Sequence, residues 1–258
     1  MNGLQLLLRL AVSSEDEDVV NGALEILAEL SDKEEFRDLF LEHNMISDVK
    51  SLIVSHEGAT KQLAAKIYAH LSLSDKIAPE LYRDLDLVVT LLRHQDAEVQ
   101  TFGCMVVGNI ARTDTQVVGV VQRGIHEILL NLLKEPLTDV KVKHLAIGSL
   151  RNIAQTPQNK AALLQLGIMP PVTKMLTNPN AIVVYATIGC IKNLLTGGGT
   201  LNNSDINGYV TCGIEEQIQS FIDAGGLDPI TELTTIEENE HIKYESSRIV
   251  AYIANSSA

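Results

Sequence analysis

Residues 103–113 read GCMVVGNIART, residues 147–156 read IGSLRNIAQT and residues 188–197 read IGCIKNLLTG. These segments are copies of one apolar helical pattern, and each carries an asparagine near its end: Asn109, Asn152 and Asn193. The three asparagines are separated by 43 and 41 residues. Weaker copies of the pattern place Glu29, His70 and Tyr252 at the same position. A period of this length predicts helical repeats that bury a core only by stacking on one another.

The residues around each copy predict the rest of the repeat. A glycine after a short helix suits a left-handed helix end, and we predict such turns at Gly124, Gly167 and Gly226. Second helices with apolar residues at 3.6-residue spacing follow, as in residues 125–135 (IHEILLNLLKE). Polar loops such as DAEV, LTDV and NPNA then supply an aspartate or asparagine as the N-cap of a third helix.

The composition indicates a helical protein with an aliphatic core. The chain has 258 residues, of which 45% are apolar and only 4% aromatic, and it contains no tryptophan. Its three cysteines, Cys104, Cys190 and Cys212, are odd in number and unclustered, and two of them lie within predicted helices. This indicates buried free thiols in a reducing compartment such as the cytoplasm. We see neither a signal peptide nor 18 uninterrupted apolar residues, so we expect neither secretion nor membrane insertion.

The net charge of −13 is concentrated towards the two ends of the chain. Residues 1–60 contain 13 acidic and 4 basic side chains, residues 61–200 contain 10 and 14, and residues 201–258 contain 10 and 2. Phosphate backbones require a basic face, so we do not expect nucleic acid as the partner. Acidic ends are compatible with a basic partner, although an acidic surface also serves solubility alone.

The repeat pattern divides a single predicted domain into six units. Their approximate bounds are residues 1–31, 32–72, 73–113, 114–155, 156–196 and 214–258. Residues 197–213 (GGGTLNNSDINGYVTCG) are an additional segment rich in glycine and asparagine, which we predict to be a flexible loop. The first unit begins at a turn glycine and a second helix, so we expect a fragment of a longer array.

The period, the three-helix unit and the G-I…L-L…N pattern resemble armadillo repeats over nearly the whole chain. The resemblance implies an all-α, right-handed superhelical solenoid of about six units, whose third helices line a concave groove. In that family the asparagine position and the residues four and eight before it face the groove. The groove residues implied here are Asn109, Met105, Asn152, His144, Asn193, Tyr185, Glu25 and Glu29, with Tyr244 and Arg248 in the last copy.

The repeated asparagine has two interpretations. An amide offers donors and an acceptor together, which suits the backbone of an extended partner. It can also tie neighbouring helices or loops together inside the array.

Importin-α-type armadillo proteins place tryptophan four residues before the asparagine, where this chain has Met105, Gly148 and Gly189. We therefore do not expect nuclear localisation signals to bind in that manner.

A closer resemblance covers residues 102–176, which are similar to two consecutive repeats of the small-GTPase GDP-dissociation stimulators, the smg GDS family. The similarity lies in residues 106–114 (VVGNIARTD) and 142–162 (VKHLAIGSLRNIAQTPQNKAA), with a further similar segment at 244–257 (YESSRIVAYIANSS). It implies a partner of the Ras or Rho type with a basic, prenylated tail. Asn109, Arg112, Asp114 and Asn152 match the family's GTPase-binding segments, whereas Thr113 replaces an asparagine of that motif.

The residues provide no pattern typical of catalysis. A nucleophile elbow, a phosphate loop and paired metal-ligand spacing are missing from the sequence, so we expect no enzyme activity, cofactor or metal. The leading hypothesis is a GTPase-binding scaffold that stimulates nucleotide exchange, in which residues 15–18 (EDED), Glu25 and Glu29 attract the basic tail. Alternatively, EDED is only a solvated loop. The alternative function is an adaptor that binds an extended peptide without affecting nucleotide exchange.

Overall fold

Helices are the only regular secondary structure in the residues that the computed structural model describes, 3–195 and 214–256. The all-α fold class predicted from the sequence is confirmed. The chain forms two compact units, Met1–Ile110 and Ala111–Ala258. No helix in the described ranges is both long enough and apolar enough to cross a membrane. The insertion predicted at residues 197–213 lies outside the described residues, and the single domain with six repeat boundaries stays a prediction.

The first unit repeats the predicted order of short first, second and long third helices. Its described helices are α1 (Gly3–Ser13), α2 (Glu17–Asp32), α3 (Glu34–Glu42), α4 (Ile46–Ser55), α5 (Gly58–Leu71), α6 (Ala78–Tyr82), α7 (Leu85–Leu92) and α8 (Ala97–Ile110). The third helices are α2, α5 and α8, and α5 packs on both of the others. The second helices α1, α4 and α7 pack on the third helix that follows them.

The second unit continues the same order. Its described helices are α9 (Asp114–Gln122), α10 (Ile125–Lys134), α11 (Val140–Ile153), α12 (Pro157–Gln165), α13 (Met169–Lys174), α14 (Ala181–Leu195), α15 (Ile214–Asp223), α16 (Leu227–Glu232) and α17 (Glu240–Ser256). A short 3-10 helix, Met175–Thr177, follows α13. The third helices here are α11, α14 and α17, and α14 packs on both of the others.

The polar loops supply the N-caps of the third helices, as predicted. In five cases a side-chain oxygen accepts a backbone N–H of the first turn, and these residues are Asp16, Asp96, Asp139, Asn180 and Asn239. The accepted N–H groups have no partner within the helix, so each cap stabilises a helix start by about 1 kcal/mol. Helix α5 differs, because it begins at Gly58 with a φ of 59° and its N-cap makes no side-chain hydrogen bond.

Left-handed turns separate first from second helices except between α6 and α7, where Asp84 has a φ of −116°, and one predicted position needs correction. Gly124 and Gly167 have φ values of 74° and 71°, as expected, and Asn44 takes the same conformation at 55°. The prediction for Gly226 was wrong, because Gly225 has the positive φ of 73° and Gly226 has a φ of −80°. Gly226 is required for a different reason. A Cβ there would lie 2.2 Å from Cε2 of the Phe221 ring.

The cysteines agree with the prediction of buried free thiols where the structure describes them. Cys104 and Cys190 are fully buried, and neither forms a disulfide bond. Burial raises the pKa of each thiol to about 12, so both stay protonated and unreactive. Cys212 lies outside the described residues. In the described part of the chain, no three His, Cys, Asp or Glu side chains are arranged to hold a metal ion.

Candidate partner-binding site

The predicted partner residues on third helices all reach the surface. We use the term third-helix face for the side of a third helix that carries the asparagine position and the residues four and eight before it. Half-buried on these faces are Met105 and Asn109 of α8, His144 and Asn152 of α11, and Asn193 of α14, whereas Glu25 and Glu29 of α2 and Tyr185 of α14 are exposed. Their contact with a partner stays a prediction.

Two of the asparagines also tie neighbouring repeats together. Asn193 Nδ2 donates to the Arg151 carbonyl in the last turn of α11 at 2.9 Å. Asn109 Nδ2 donates to the hydroxyl of Ser72, the C-cap of α5, at 2.9 Å. Carbonyls in the last turn of a helix have no donor within that helix, so Asn193 from the next repeat supplies one. For Asn109 and Asn193 the interpretation as an internal tie is correct.

His70 makes the corresponding tie at the end of α2. Its Nδ1 lies 2.9 Å from Ser31 Oγ and 3.1 Å from the Ala28 carbonyl oxygen. Burial lowers the pKa of His70, and the Asp32 carboxylate, 3.8 Å from Nε2, acts in the opposite direction. Ser31, His70 and Asp32 match a catalytic triad in residue type alone. Because Ser31 is fully buried, its hydroxyl cannot meet a substrate, and the group serves to join α2 to α5.

Arg112 and Asp114 lie in the second unit at the start of α9, outside the third-helix faces. Both are exposed. Thr113 between them is the N-cap of α9 and forms a reciprocal capping box with Gln116. Asp114 Oδ1 accepts a hydrogen bond from the Thr156 hydroxyl at 2.8 Å. Thr113, which stands where the family has an asparagine, is therefore a helix N-cap. Threonine and asparagine both serve in that position.

Helix α2 carries the acidic residues predicted to attract a basic tail. It contains five acidic side chains and no basic one. Glu25 and Glu29 are one turn apart, exposed, and without an ion pair to any described residue. Residues 15–18 are also exposed, and within them Asp16 caps α2. We call Glu25, Glu29 and residues 15–18 the acidic face. Helix capping explains only one of the six carboxylates of the acidic face, that of Asp16.

Arg151 is a candidate that the sequence pattern did not single out. Its side chain crosses from α11 to Gly189 on α14, where an added Cβ would lie 3.0 Å from Nε and 3.1 Å from Cδ of Arg151. Arg151 is half-buried, and no carboxylate among the described residues forms an ion pair with it. Gly189 was the available signal, since a glycine inside a helix costs stability and often marks close approach of a neighbouring group.

The fold defined by these repeats is that of the armadillo-repeat proteins. A designed armadillo repeat protein in complex with a (KR)4 peptide matches with a TM-score of 0.81 at 19% identity, over 98% of this chain and 100% of that one. No protein-family model matches the sequence. The armadillo architecture implied by the sequence is therefore confirmed by structural similarity.

Curated relatives confirm the closer resemblance. The GTPase-GDP dissociation stimulator vimar of Drosophila melanogaster is 25% identical over 202 residues, which are 73% of this chain and 32% of that protein. The Rap1 GTPase-GDP dissociation stimulator 1-A of Xenopus laevis is 26% identical over 185 residues, 66% of this chain and 30% of that protein. This chain thus spans about a third of the length of these relatives.

Proposed function

We propose that this chain is a non-catalytic scaffold that binds a Ras- or Rho-type small GTPase through its third-helix faces and promotes nucleotide release. The relatives named as GDP dissociation stimulators support the partner class, and the repeat fold supports a scaffold. The structural observation that carries the proposal is the acidic face. Its exposed Glu25 and Glu29 suit the basic, prenylated tail of such a GTPase in the cytoplasm.

The proposed mechanism is differential binding. A scaffold that binds the nucleotide-poor conformation of its partner more tightly shifts the partner towards that state, and no acid, base or metal is required. The acidic face accelerates encounter with the positively charged tail and orients it. The designed armadillo protein that binds a (KR)4 peptide supports this use of the fold for a basic, extended segment.

The test combines tail binding with nucleotide release. Fluorescent GDP is loaded on Ras- and Rho-type GTPases, prenylated and unprenylated, and its release is followed with and without the chain. We expect the double substitution Glu25→Gln with Glu29→Gln to weaken tail binding about three- to tenfold, because two exposed charges are removed. The matched control is Glu237→Gln with Glu238→Gln, an exposed pair in the loop before α17.

Failure to bind any GTPase, or equal effects of the two double substitutions, would contradict the proposal. Asn109→Ala is a less direct test, because it also removes the hydrogen bond to Ser72. Its effect on binding therefore has to be compared with its effect on thermal stability.

A second candidate function is that of an adaptor that binds an extended peptide without acting on nucleotide. It is favoured by the amides of Asn109, Asn152 and Asn193 on third-helix faces, since an amide can bond to both groups of a peptide backbone. The nucleotide-release assay separates the two functions. Tail binding with an unchanged release rate would identify the adaptor.

A further inference from the structure

Helix α2 carries an exposed row of apolar residues. Val19 and Ile26 are 42% and 48% exposed, and the half-buried Gly22 and Leu30 lie on the same side of the helix, at spacings of three and four residues. A Cβ added at Gly22 would meet open space. We call Val19, Gly22, Ile26 and Leu30 the α2 row. Contiguous exposed apolar residues on a folded protein mark interaction sites.

The equivalent row is buried on other third helices. In α5, α8, α14 and α17, each of which packs on a preceding third helix, the residues equivalent to Val19 and Ile26 are at most 2% exposed. They are Thr60 and Ile67 in α5, Val99 and Val106 in α8, Val183 and Cys190 in α14, and Ile242 and Ile249 in α17. The Thr60 hydroxyl donates to Asn21 of α2 at 2.8 Å, so this row faces the preceding third helix. The α2 row therefore has the form of a helix-packing surface, and none of the described helices covers it.

Helix α17 does not offer a second copy a matching surface. Third helices meet the next repeat through a different row, as Ser31 of α2 shows by its hydrogen bond to His70. That row contains the fully buried Leu24 in α2, whereas α17 has Ser247 and Ala254 at the equivalent positions, both exposed. A small and polar outer face of this kind is typical of a capping repeat. Stacking two copies head to tail would therefore place the α2 row on a surface with little apolar area.

We propose that two copies of this chain associate through their α2 rows, as a two-fold dimer in which the α2 helices are antiparallel. Ile26 then lies at the axis against Ile26 of the second copy, and Leu30 lies opposite Gly22, where the space is open. A two-fold contact uses the same patch on both chains, so no second apolar surface is required.

The charges near the two ends of the row support the antiparallel orientation. Asp18 precedes Ile26 by eight residues and Lys33 follows it by seven, which places them about 12 Å and about 10 Å from the axis along the helix. Each Lys33 therefore lies beside Asp18 of the second copy. Both residues are exposed, and neither forms an ion pair with a described residue. Parallel helices would instead bring equal charges together.

The acidic residues that border the row limit the affinity. Glu25 and Glu29 lie on the same side of the antiparallel pair, so four carboxylates approach one another across the dimer. A row of four residues is also smaller than the ~800 Å² per partner of a standard interface. We therefore expect a reversible dimer with a dissociation constant in the micromolar range.

Sedimentation velocity of the full chain, at concentrations from about 1 μM to about 200 μM, tests the proposal. The average mass should rise from that of one chain towards that of two. Val19→Gln with Ile26→Gln should weaken the dimer about tenfold or more, because the two-fold axis counts each lost contact twice. The matched control is Val54→Gln with Ile182→Gln, which changes the same residue types at positions on α4 and α14 that are 72% and 60% exposed. The control should associate like the wild type.

A charge exchange tests the orientation. Asp18→Lys and Lys33→Asp should each weaken the dimer about threefold, because each substitution places like charges together. The two substitutions combined in one chain should restore the association of the wild type, since the pairing of opposite charges returns.

The proposal is overturned if the chain stays monomeric over this range, if assemblies grow beyond two copies, if the two double substitutions to glutamine have equal effects, or if the charge exchange does not restore association. This inference goes beyond the proposed function and does not depend on it. The proposed function is tested separately, by tail binding and nucleotide release.

Discussion

The asparagine position shows how one side chain can link two repeats. Asn109 and Asn193 each donate from one third helix to the end of the preceding one, and the amide suits this role because its donor lies on a short, planar group. A leucine at either position would leave the helix end without that donor. The periodic amides therefore have a structural cause that holds whether or not a partner also contacts them.

Asn193→Ala is expected to lower the free energy of unfolding by about 1 kcal/mol, because the Arg151 carbonyl loses its donor from the next repeat. Urea denaturation followed by circular dichroism measures the change. Asn255→Ala, at an exposed position in the last turn of α17, is the control and should change stability by less than about 0.5 kcal/mol. Equal losses from both substitutions would show that the tie contributes nothing.

At the scale of elements, hydrogen bonds between repeats recur at nearly the sequence period. Thr60 donates to Asn21 across 39 residues and Thr156 to Asp114 across 42, both at 2.8 Å. The tie from His70 to Ser31 spans 39 residues. The third helices α5, α8 and α14 thus combine an apolar side that packs on neighbouring helices with polar contacts to the preceding third helix. Stacked repeats gain stability through such nearest-neighbour contacts.

His70→Asn is expected to reduce the sensitivity of the first unit to acid. Burial lowers the pKa of His70 below its ordinary 6.5, so the unfolded chain takes up a proton more readily than the folded one. The corresponding stability is complete above the ordinary pKa and is lost as the pH falls through it towards the folded-state pKa. Asparagine fills the same position in other repeats and does not titrate in this range.

The free energy of unfolding of wild type and His70→Asn is compared at about pH 7.5 and about pH 5.5, by urea denaturation. The wild type should lose more stability between these values than the variant, up to ~1.4 kcal/mol for each unit by which the two pKa values differ. An identical loss in both proteins would show that His70 is not a source of acid sensitivity.

On the scale of the whole molecule, the net charge of −13 is spread unevenly along the chain. The first unit has the acidic face, with five acidic residues in helix α2. A surface of this kind sets partner orientation and association rate more than it sets affinity. The ligand that the proposed function assigns to it is a basic tail.

The association rate of fluorescein-labelled octalysine, a basic probe for the acidic face, should fall several-fold when salt is raised from about 20 mM to about 200 mM. The reason is that screening shortens the range over which the acidic face attracts it. Stopped-flow anisotropy gives this rate directly. Glu25→Gln with Glu29→Gln should make the rate less dependent on salt, whereas Glu237→Gln with Glu238→Gln should not. A rate independent of salt in the wild type would remove electrostatic attraction from the proposed mechanism.

The sequence by itself determined the class of fold, because apolar spacing, turn residues and caps recur along one dimension and need no knowledge of distant contacts. It also placed Glu25 and Glu29 on an exposed face. The tertiary structure alone decided that Asn193 bonds to the Arg151 carbonyl and that the Arg151 side chain occupies the space at Gly189. These contacts join residues about 40 positions apart, so their geometry exists only after neighbouring helices have packed.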